Sequence, residues 1–278
     1  MTWPAPVRLT PRVTLVGSGT LGFGLTDPHD SHVYLVDGGT DAVLVDAGCG
    51  LAADRIAANV RACLGARPVS RILLTHAHAD HAGGAADLAG LLGATVMALP
   101  PVAAIVAAGD EDASGLRTAR RAGVYPPGLR PAPVPVRTLE ADELSVGALT
   151  IGVHPTPGHA AGHCCFSLRE AEAEADVEAD GDADADADAD DGNGNDAGGG
   201  SRTLFSGDLV FARGRVAVLA TPDTDLQALG QSLRAVAALE PDVLLPGHGA
   251  PVLREAHTHL RTAVEHLDRG ALPPGLLP

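Results

Sequence analysis

The chain has 278 residues, of which 45% are hydrophobic, and a formal net charge of −16. Thirteen of its acidic residues fall within positions 170–196, where there is no basic residue, so the remaining positions carry a net charge of only −3. This nearly neutral body lacks the clustered positive charge that nucleic-acid binding requires. All 19 basic residues are arginines, which excludes a lysine Schiff base and a P-loop lysine.

Apolar runs bounded by turn residues predict five β-strands in the first half of the chain. These runs lie at 12–17, 31–39, 41–50, 70–75 and 94–100. The second and third flank a Gly-Gly-Thr turn, which indicates an antiparallel hairpin. Stretches with helical periodicity at 52–64 and 81–93 predict helices. The segment 101–136 is partly helical in pattern and ends in a proline-rich run, so its architecture stays open.

The second half of the chain repeats this alternation of strands and helices. Strands are predicted at 148–159, 163–168, 202–211 and 242–249. Helices are predicted at 225–239 and near the end of the sequence. Hairpins followed by alternating strands and helices favour an α/β fold, a sandwich of mixed sheets covered by helices. We expect one domain over residues 1–278.

An acidic insert interrupts this pattern at 170–201. Its only large apolar residue is Val177, so it cannot bury enough surface to offset the entropy of ordering itself. We expect a disordered loop that joins two strands. The alternating Asp-Ala pattern lacks the glycine and the final glutamate of an EF-hand loop, so cation binding there is the less favoured interpretation.

Several features predict a cytoplasmic protein. The N-terminal residues do not show the basic residues followed by an apolar segment that mark a signal peptide. The longest apolar stretch is interrupted by Asp87 and Pro100. We therefore expect neither a secretory signal nor a membrane span. The four cysteines show no CxxC pairing or disulfide-type spacing, as is typical of reduced thiols.

Metal-binding residue types are concentrated in the stretch RILLTHAHADHAGG, at 71–84. Three imidazoles and a carboxylate, from His76, His78, Asp80 and His81, follow directly on a predicted buried strand. Because side chains alternate along a strand, His76 and His78 can point the same way and share one ion. Nitrogen and carboxylate ligands at this density suit zinc, iron or manganese.

Three further strand ends carry the same kinds of ligand. TPGHAAGH contains His159, FSGDLVF contains Asp208 and LLPGHG contains His248. Each lies beside a glycine, which lets the backbone turn sharply so that the side chain can reach into a cleft. Coincidence at four separate loops is improbable, so the sequence predicts one composite metal site.

The motifs HxHxDH, TPGHxxGH, SGD and PGHG, in this order, resemble those of the metallo-β-lactamase superfamily of hydrolases. The resemblance extends from about residue 13 to residue 267. It implies an αββα sandwich in which helices flank two mixed β-sheets. It also implies two metal ions, one held by His76, His78 and His159, the other by Asp80, His81 and His248, with Asp208 bridging both.

The resemblance further implies hydrolysis. A hydroxide that bridges two zinc ions, or iron or manganese, would attack an ester, thioester or lactone carbonyl of a small molecule. Asp80 and Asp208 are the candidate catalytic carboxylates, and Asp80 could orient the hydroxide and accept its proton. Related proteins also include iron-dependent oxidoreductases such as persulfide dioxygenases, which form the alternative function.

Other residues are candidates for supporting roles. Asp46 and His163 could orient the metal ligands through hydrogen bonds, although His163 is equally compatible with an ordinary strand-start residue. His32 and Tyr125 are candidate pocket residues, with a plain surface position as the alternative for His32. The segment 101–136 could shape that pocket, with Arg120 or Arg121 contacting substrate.

The TPGHxxGH form resembles the glyoxalase II and lactonase branches of the superfamily. Only about thirty residues follow His248, so we expect no glutathione-binding helical domain, and the lysines used there have no counterpart. Positions 212–247 contain no tyrosine, so the phenol of quorum-quenching lactonases is missing from its usual place. The substrate itself stays undetermined.

Overall fold

The computed structural model describes residues 4–169, 201–219, 221 and 223–276. The predicted acidic loop lies outside these described residues except for Ser201. Within the described part, the strands form one sheet of seven and one sheet of five.

In the described residues, the first sheet has strands that follow one another in chain order. They are β1 (Val7–Arg8), β2 (Val13–Gly17), β3 (Val33–Asp37), β4 (Ala42–Val45), β5 (Arg71–Leu73), β6 (Thr95–Ala98) and β7 (Val136–Thr138). Strands β1 to β4 pair antiparallel, whereas β4 to β7 are all parallel. The carboxyl ends of four neighbouring strands therefore meet at one edge, where α/β sheets typically bind ligands.

The second sheet, as far as it is described, has the order β12-β11-β10-β9-β8. Its strands are β8 (Glu143–Val146), β9 (Leu149–Pro155), β10 (Cys164–Arg169), β11 (Arg202–Gly207) and β12 (Val243–Pro246). Strands β8 to β11 pair antiparallel, and β12 joins β11 in parallel. Strands β9, β11 and β12 thus run in the same direction and also end at a common edge.

Helices cover the outer faces of the two sheets. The described helices are α1 (Ala53–Leu64), α2 (Ala79–Ala82), α3 (Ala85–Leu92), α4 (Pro100–Ala108), α5 (Leu116–Arg121), α6 (Leu226–Ala237) and α7 (Ala256–Asp268). Helices α1, α3 and α4 pack on the first sheet, and α6 and α7 pack on the second. Across the described ranges, none is both long and apolar enough to cross a bilayer.

Strand β4 shows how the sequence builds these layers. All four of its residues are buried, as expected for a strand covered on both faces. Ala42 and Leu44 pack towards the helices, whereas Val43 and Val45 belong to the core between the sheets. Phe166 of the second sheet lies in that same central core. The predicted αββα sandwich of two mixed sheets flanked by helices is confirmed.

The segment 101–136, whose architecture the sequence left open, connects the parallel neighbours β6 and β7 of the first sheet. It contains most of α4 and all of α5 before the chain enters β7. Leu116 and Leu129 of this segment are buried against Ala79 of α2, and Tyr125 packs against the same small cluster. The segment is therefore fixed beside the HxHxDH motif.

Candidate metal centre

The HxHxDH motif lies between β5 and the one-turn helix α2. Strand β5 ends at Leu73 rather than at residue 75, because the backbone N–H of Thr75 donates to Asp46 Oδ1 (2.8 Å) instead of to a neighbouring strand. His76 and His78 consequently lie on the connecting loop, whereas Asp80 and His81 lie on α2. The motif thus stands outside the carboxyl end of a parallel strand.

The other three candidate ligands come from the second sheet. His159, Asp208 and His248 follow β9, β11 and β12, three strands whose carboxyl ends share an edge. All three are buried. The structure brings these residues together with the HxHxDH motif, so the centre forms where the edges of the two sheets meet.

A first set of three histidines converges through ring nitrogens. His78 Nδ1 lies 3.0 Å from His76 Nε2 and 3.1 Å from His159 Nε2. Burial and the neighbouring imidazoles lower the pKa of His76 well below its usual value and that of His78 to about 4. Neutral imidazoles with converging lone pairs form the donor set that zinc and similar ions prefer.

A second set combines Asp80, His81 and His248. Asp80 Oδ2 lies 3.0 Å from His248 Nε2 and 3.6 Å from His81 Nε2. Burial alone would raise the pKa of Asp80, but the two imidazoles lower it. Burial would likewise lower the pKa of His81, yet the carboxylates of Asp208, Asp80 and Asp46 raise it. This set therefore combines one carboxylate with two imidazoles, a donor set that also suits zinc and similar ions.

Asp208 lies between the two sets. Its Oδ1 is 3.3 Å from His81 Nε2, and its Oδ2 is 3.6 Å from His248 Nε2 and 3.8 Å from His159 Nε2. In each set the ligand atoms lie within 4.8 Å of one another, and His76, His81 and Asp208 form a third such group. The carboxylate can therefore contact an ion in either set.

Two buried atoms at this point, His81 Nε2 and Asp208 Oδ1, lie 3.3 Å apart without the alignment of a hydrogen bond, and neither has another hydrogen-bond partner. Buried polar atoms in folded proteins are normally satisfied. Both atoms face the shared centre, and both are of the type that binds a divalent cation. The residues present therefore fit metal binding.

Asp46 orients His81 by contacting the ring nitrogen that faces away from the centre. Its Oδ2 lies 2.7 Å from His81 Nδ1, so the imidazole donates to the carboxylate and turns Nε2 towards the centre. Thr75 Oγ1 contacts both oxygens of the same carboxylate. Asp46 itself has a φ of 63°, an uncommon left-handed conformation for a residue other than glycine. Such outer hydrogen bonds fix the orientation of a metal-binding imidazole.

Similar contacts support the ligands of the second sheet. His159 Nδ1 lies 2.8 Å from the carbonyl oxygen of Ala217, which leaves Nε2 free to face the centre. His163 accepts a hydrogen bond at Nε2 from the backbone N–H of Asp208 (3.3 Å), and its Nδ1 contacts Thr156 Oγ1. The roles of Thr156 and Ala217 were not predicted from the sequence. The position of Thr156 at the start of the TPGH motif could have indicated its role, whereas Ala217 acts through its backbone carbonyl, which no sequence pattern marks.

The loop 247–249, which carries His248, has no room for a side chain at Gly247. A Cβ there would lie 2.4 Å from Asp208 Oδ1 and 2.5 Å from His81 Cε1. The carbonyl oxygen of Gly247 accepts from the backbone N–H of His32 (2.7 Å). Glycine therefore allows the loop to approach the ligands closely.

His32 occupies neither of the positions that the sequence suggested for it. Its side chain is buried rather than on the surface, and its Nε2 lies 2.8 Å from the carbonyl oxygen of Gly249. A groove leads from the surface to the metal centre, and His32 is not among its described lining residues. His32 instead holds the loop that carries His248 in place, because the fold packs its ring between Phe23 and Tyr34.

A groove of about 750 Å³ leads from the surface to the centre. Tyr125 lies in its wall and donates a hydrogen bond from Oη to Asp80 Oδ1 (2.9 Å). Burial and the nearby carboxylate raise the pKa of Tyr125, so its hydroxyl stays protonated.

The two arginines suggested as substrate contacts are not part of the described groove lining. Arg120 is bound to Glu111 and to the carbonyl oxygen of Leu129. It thus holds the 101–136 segment together.

Comparison with known proteins identifies the family. Residues 26–172, just over half of the chain, match the model of the metallo-beta-lactamase superfamily. The chain therefore belongs to this superfamily, as its motifs predicted.

Two of the curated relatives are named as a thioesterase and as a hydrolase. The chain is 27% identical to an atrochrysone carboxyl ACP thioesterase of Aspergillus fumigatus, over 88% of this chain and 58% of that protein. It is 38% identical to a hydroxyacylglutathione hydrolase of Anaeromyxobacter dehalogenans, over 48% of this chain and 40% of that protein. The chain thus spans about half the length of these relatives.

Solved structures show the same fold. The Rm3 metallo-beta-lactamase superposes with a TM-score of 0.65 at 21% sequence identity, covering 96% of this chain and 93% of that one. At this identity the likeness shows the fold alone.

Proposed function

We propose that this protein is a dinuclear metal-dependent hydrolase that cleaves an ester, thioester or lactone bond of a small molecule. The observation that carries the proposal is the pair of ligand sets with Asp208 between them. Each set alone could hold one divalent ion, and Asp208 lies within 4 Å of side chains in both.

His76, His78 and His159 would hold one ion, and Asp80, His81 and His248 the other, with Asp208 shared. Two divalent cations, zinc in our proposal, supply Lewis acidity and a water molecule of lowered pKa. The chain contributes prearranged ligands: Asp46 fixes His81, and Ala217 fixes His159. Their imidazoles need no reorientation, which lowers the cost of assembling the reactive centre.

Two residues have roles that do not depend on ligation alone. Asp80 presents a carboxylate at the inner end of the groove and can orient the attacking water and accept its proton. Tyr125 donates its hydroxyl to Asp80 and so fixes the rotation of that carboxylate. The aliphatic walls of the groove limit water around the reacting bond once substrate is bound.

The relatives support a thioester or a related acyl bond. The likeness to a protein named as an ACP thioesterase covers 88% of this chain. A small-molecule rather than a nucleic-acid substrate is further supported by the nearly neutral charge of the chain outside residues 170–196. We also propose a cytoplasmic location, since the four cysteines are free, and one domain over residues 1–278, since a single core joins the two sheets.

Metal analysis joined to activity tests the proposal. Protein purified without added metal should contain about two zinc ions per chain and should hydrolyse some member of a panel of thioesters, lactones and phosphodiesters. We expect Asp208→Ala to lose metal and to lower kcat at least about 1,000-fold, since it removes the shared ligand. The control Asp54→Ala, an exposed position on α1, should change neither.

Two results would contradict the proposal. Full metal content and full activity in Asp208→Ala would show that this carboxylate is not shared. One iron per chain, with oxygen consumption in the presence of a persulfide, would establish the oxidoreductase alternative instead.

A further inference from the structure

Exposed aliphatic side chains are gathered at the mouth of the groove. Among the described residues, nine large hydrophobic side chains are exposed, and five of these line this one groove. The five are Leu21, Val124, Val218, Leu219 and Leu272. Scattered exposed leucines need no explanation, but apolar side chains gathered around a cleft mark a binding site.

Three separate pieces of the chain, together with Leu21, build the walls. One is 114–125, which includes α5, the second is 216–219 with Thr221, and the third is the segment 272–276 that follows α7. Backbone hydrogen bonds join the last two, from Val216 N to Pro274 O (3.0 Å) and from Leu276 N to Val216 O (2.8 Å). The buried cluster of Leu116 and Leu129 fixes the first wall. The groove is therefore formed before any ligand enters.

The charges in this groove are all at its inner end. Among the described lining residues, the ionisable ones are His78, Asp80, Tyr125, Asp208 and His248, which belong to the metal centre or contact it. No arginine lines the described walls. A substrate with a carboxylate or phosphate outside the scissile bond would find no cation to pair with there.

The walls are also poor in hydrogen-bonding side chains. Apart from the ionisable residues, the described lining offers only the hydroxyls of Ser114, Thr118 and Thr221. An amide-rich leaving group would lose more hydrogen bonds to water than these three could replace. An aliphatic chain loses none and gains from leaving water.

We propose that the groove binds an uncharged aliphatic acyl chain, so that the preferred substrates are acyl esters or thioesters with several methylene groups. This proposal rests on the hydrolase function proposed above. The carbonyl lies at the inner end beside Asp80 and Asp208, and the chain extends between the wall at Val218 and Leu219 and the wall at Leu272. A volume of about 750 Å³ lies within the range of small-molecule sites.

The test is a series of N-acetylcysteamine thioesters from acetyl to decanoyl. Full burial of a methylene is worth about fourfold in binding, and this groove is partly open, so kcat/KM should rise about twofold per methylene. The rise should appear in KM more than in kcat, because the contacts are far from the reacting bond. A flat series would overturn the proposal.

Variants locate the effect in the groove. Leu219→Ser and Leu272→Ser should lower kcat/KM for the decanoyl thioester about tenfold more than for the acetyl thioester. The matched control Leu253→Ser, equally exposed but outside the described groove lining, should leave the whole series unchanged. An equal loss at every chain length in the two groove variants would contradict an acyl-chain site.

A binding measurement separates this proposal from the hydrolase function. The methyl and decyl thioethers of N-acetylcysteamine cannot be hydrolysed, and calorimetry can measure their affinity whether or not turnover occurs. At least 50-fold tighter binding of the decyl compound, a preference reduced about tenfold in Leu219→Ser, supports the groove even if no thioester is cleaved. Cleavage of acetyl thioester together with equal binding of both thioethers would sustain the function and overturn the groove.

A second copy of the chain is the alternative occupant of the apolar groove mouth. If the apolar mouth were a dimer interface, sedimentation would show a concentration-dependent dimer that Leu219→Ser abolishes. That result would overturn the proposal, whereas a mass independent of concentration and unchanged in Leu219→Ser supports it.

Discussion

The metal centre and the groove that leads to it are built on opposite principles. In the centre, each side chain has a required chemistry, and several are held in orientation by a partner outside the set, as Asp46 holds His81 and the carbonyl oxygen of Ala217 holds His159. In the groove, aliphatic side chains such as Val218 and Leu219 contribute bulk without directional bonds. The centre should therefore respond steeply to single-atom changes, whereas the groove should respond gradually and only for long substrates.

The largest effect expected here comes from adding one methyl group to the centre. In Gly247→Ala the new Cβ would lie 2.4 Å from Asp208 Oδ1 and 2.5 Å from His81 Cε1, so the loop or both ligands must shift. Displacements near 1 Å in a reactive centre cost about 100-fold in rate. We expect at least that loss in kcat and reduced metal content.

The control is Gly90→Ala. Gly90 lies in α3, where a Cβ would meet nothing within 4 Å, so metal content and activity should stay unchanged. Normal activity in Gly247→Ala would show that the centre tolerates displacement of its ligands. The centre would then be no more sensitive to small changes than the groove.

A smaller change is expected from Asp46→Asn. Asparagine keeps the size of the side chain and tolerates the left-handed backbone of this position, but it no longer offers His81 a charged acceptor. Loss of such an outer partner weakens metal binding about 10- to 100-fold. Competition with a chelator of known affinity measures this. Unchanged affinity would show that Asp46 serves the fold rather than the centre.

Tyr125 belongs to both regions, because its ring lines the groove and its hydroxyl contacts Asp80. Tyr125→Phe keeps the ring and removes the hydrogen bond to the carboxylate. A hydrogen bond to a charged group contributes about 1.5 to 3 kcal/mol. Because His248 still contacts Asp80 in this variant, we expect a loss at the lower end of that range, about tenfold in kcat with little change in KM. A change confined to KM would instead make Tyr125 a groove residue only.

The smallest effect is expected from deleting residues 170–200. Arg169 and Arg202 pair across β10 and β11 at the strand ends opposite those that carry the metal ligands. A short glycine-serine linker between them should leave kcat/KM within about twofold of its original value, as is usual for loops remote from a site. A collapse of activity would show that this segment reaches the centre.

Much of the metal centre could be predicted because its chemistry restricts the residue types. Imidazoles and carboxylates at the ends of apolar runs are rare, so His159, Asp208 and His248 stood out beside the HxHxDH motif. A sandwich of mixed sheets covered by helices followed from the order of strands and helices, and its αββα arrangement followed from the resemblance of the motifs. The end of β5 was misplaced by two residues, since it depends on the hydrogen bond from Thr75 to Asp46, which lies 29 positions away.

The groove could not be predicted in the same way. Any aliphatic residue can line a wall, so Val218 and Leu272 carry no distinctive signal, and only the fold brings their segments together. His32 was misplaced for a related reason. A histidine before a strand can face water, a pocket or the interior, and its contact with Gly249 lies 217 positions away.

The most direct measurement is anomalous diffraction at the zinc edge from crystals of the full chain grown with zinc. The account predicts two peaks, one among His76, His78 and His159 and one among Asp80, His81 and His248, with Asp208 in contact with both. A single peak, or zinc bound only elsewhere on the surface, would contradict it.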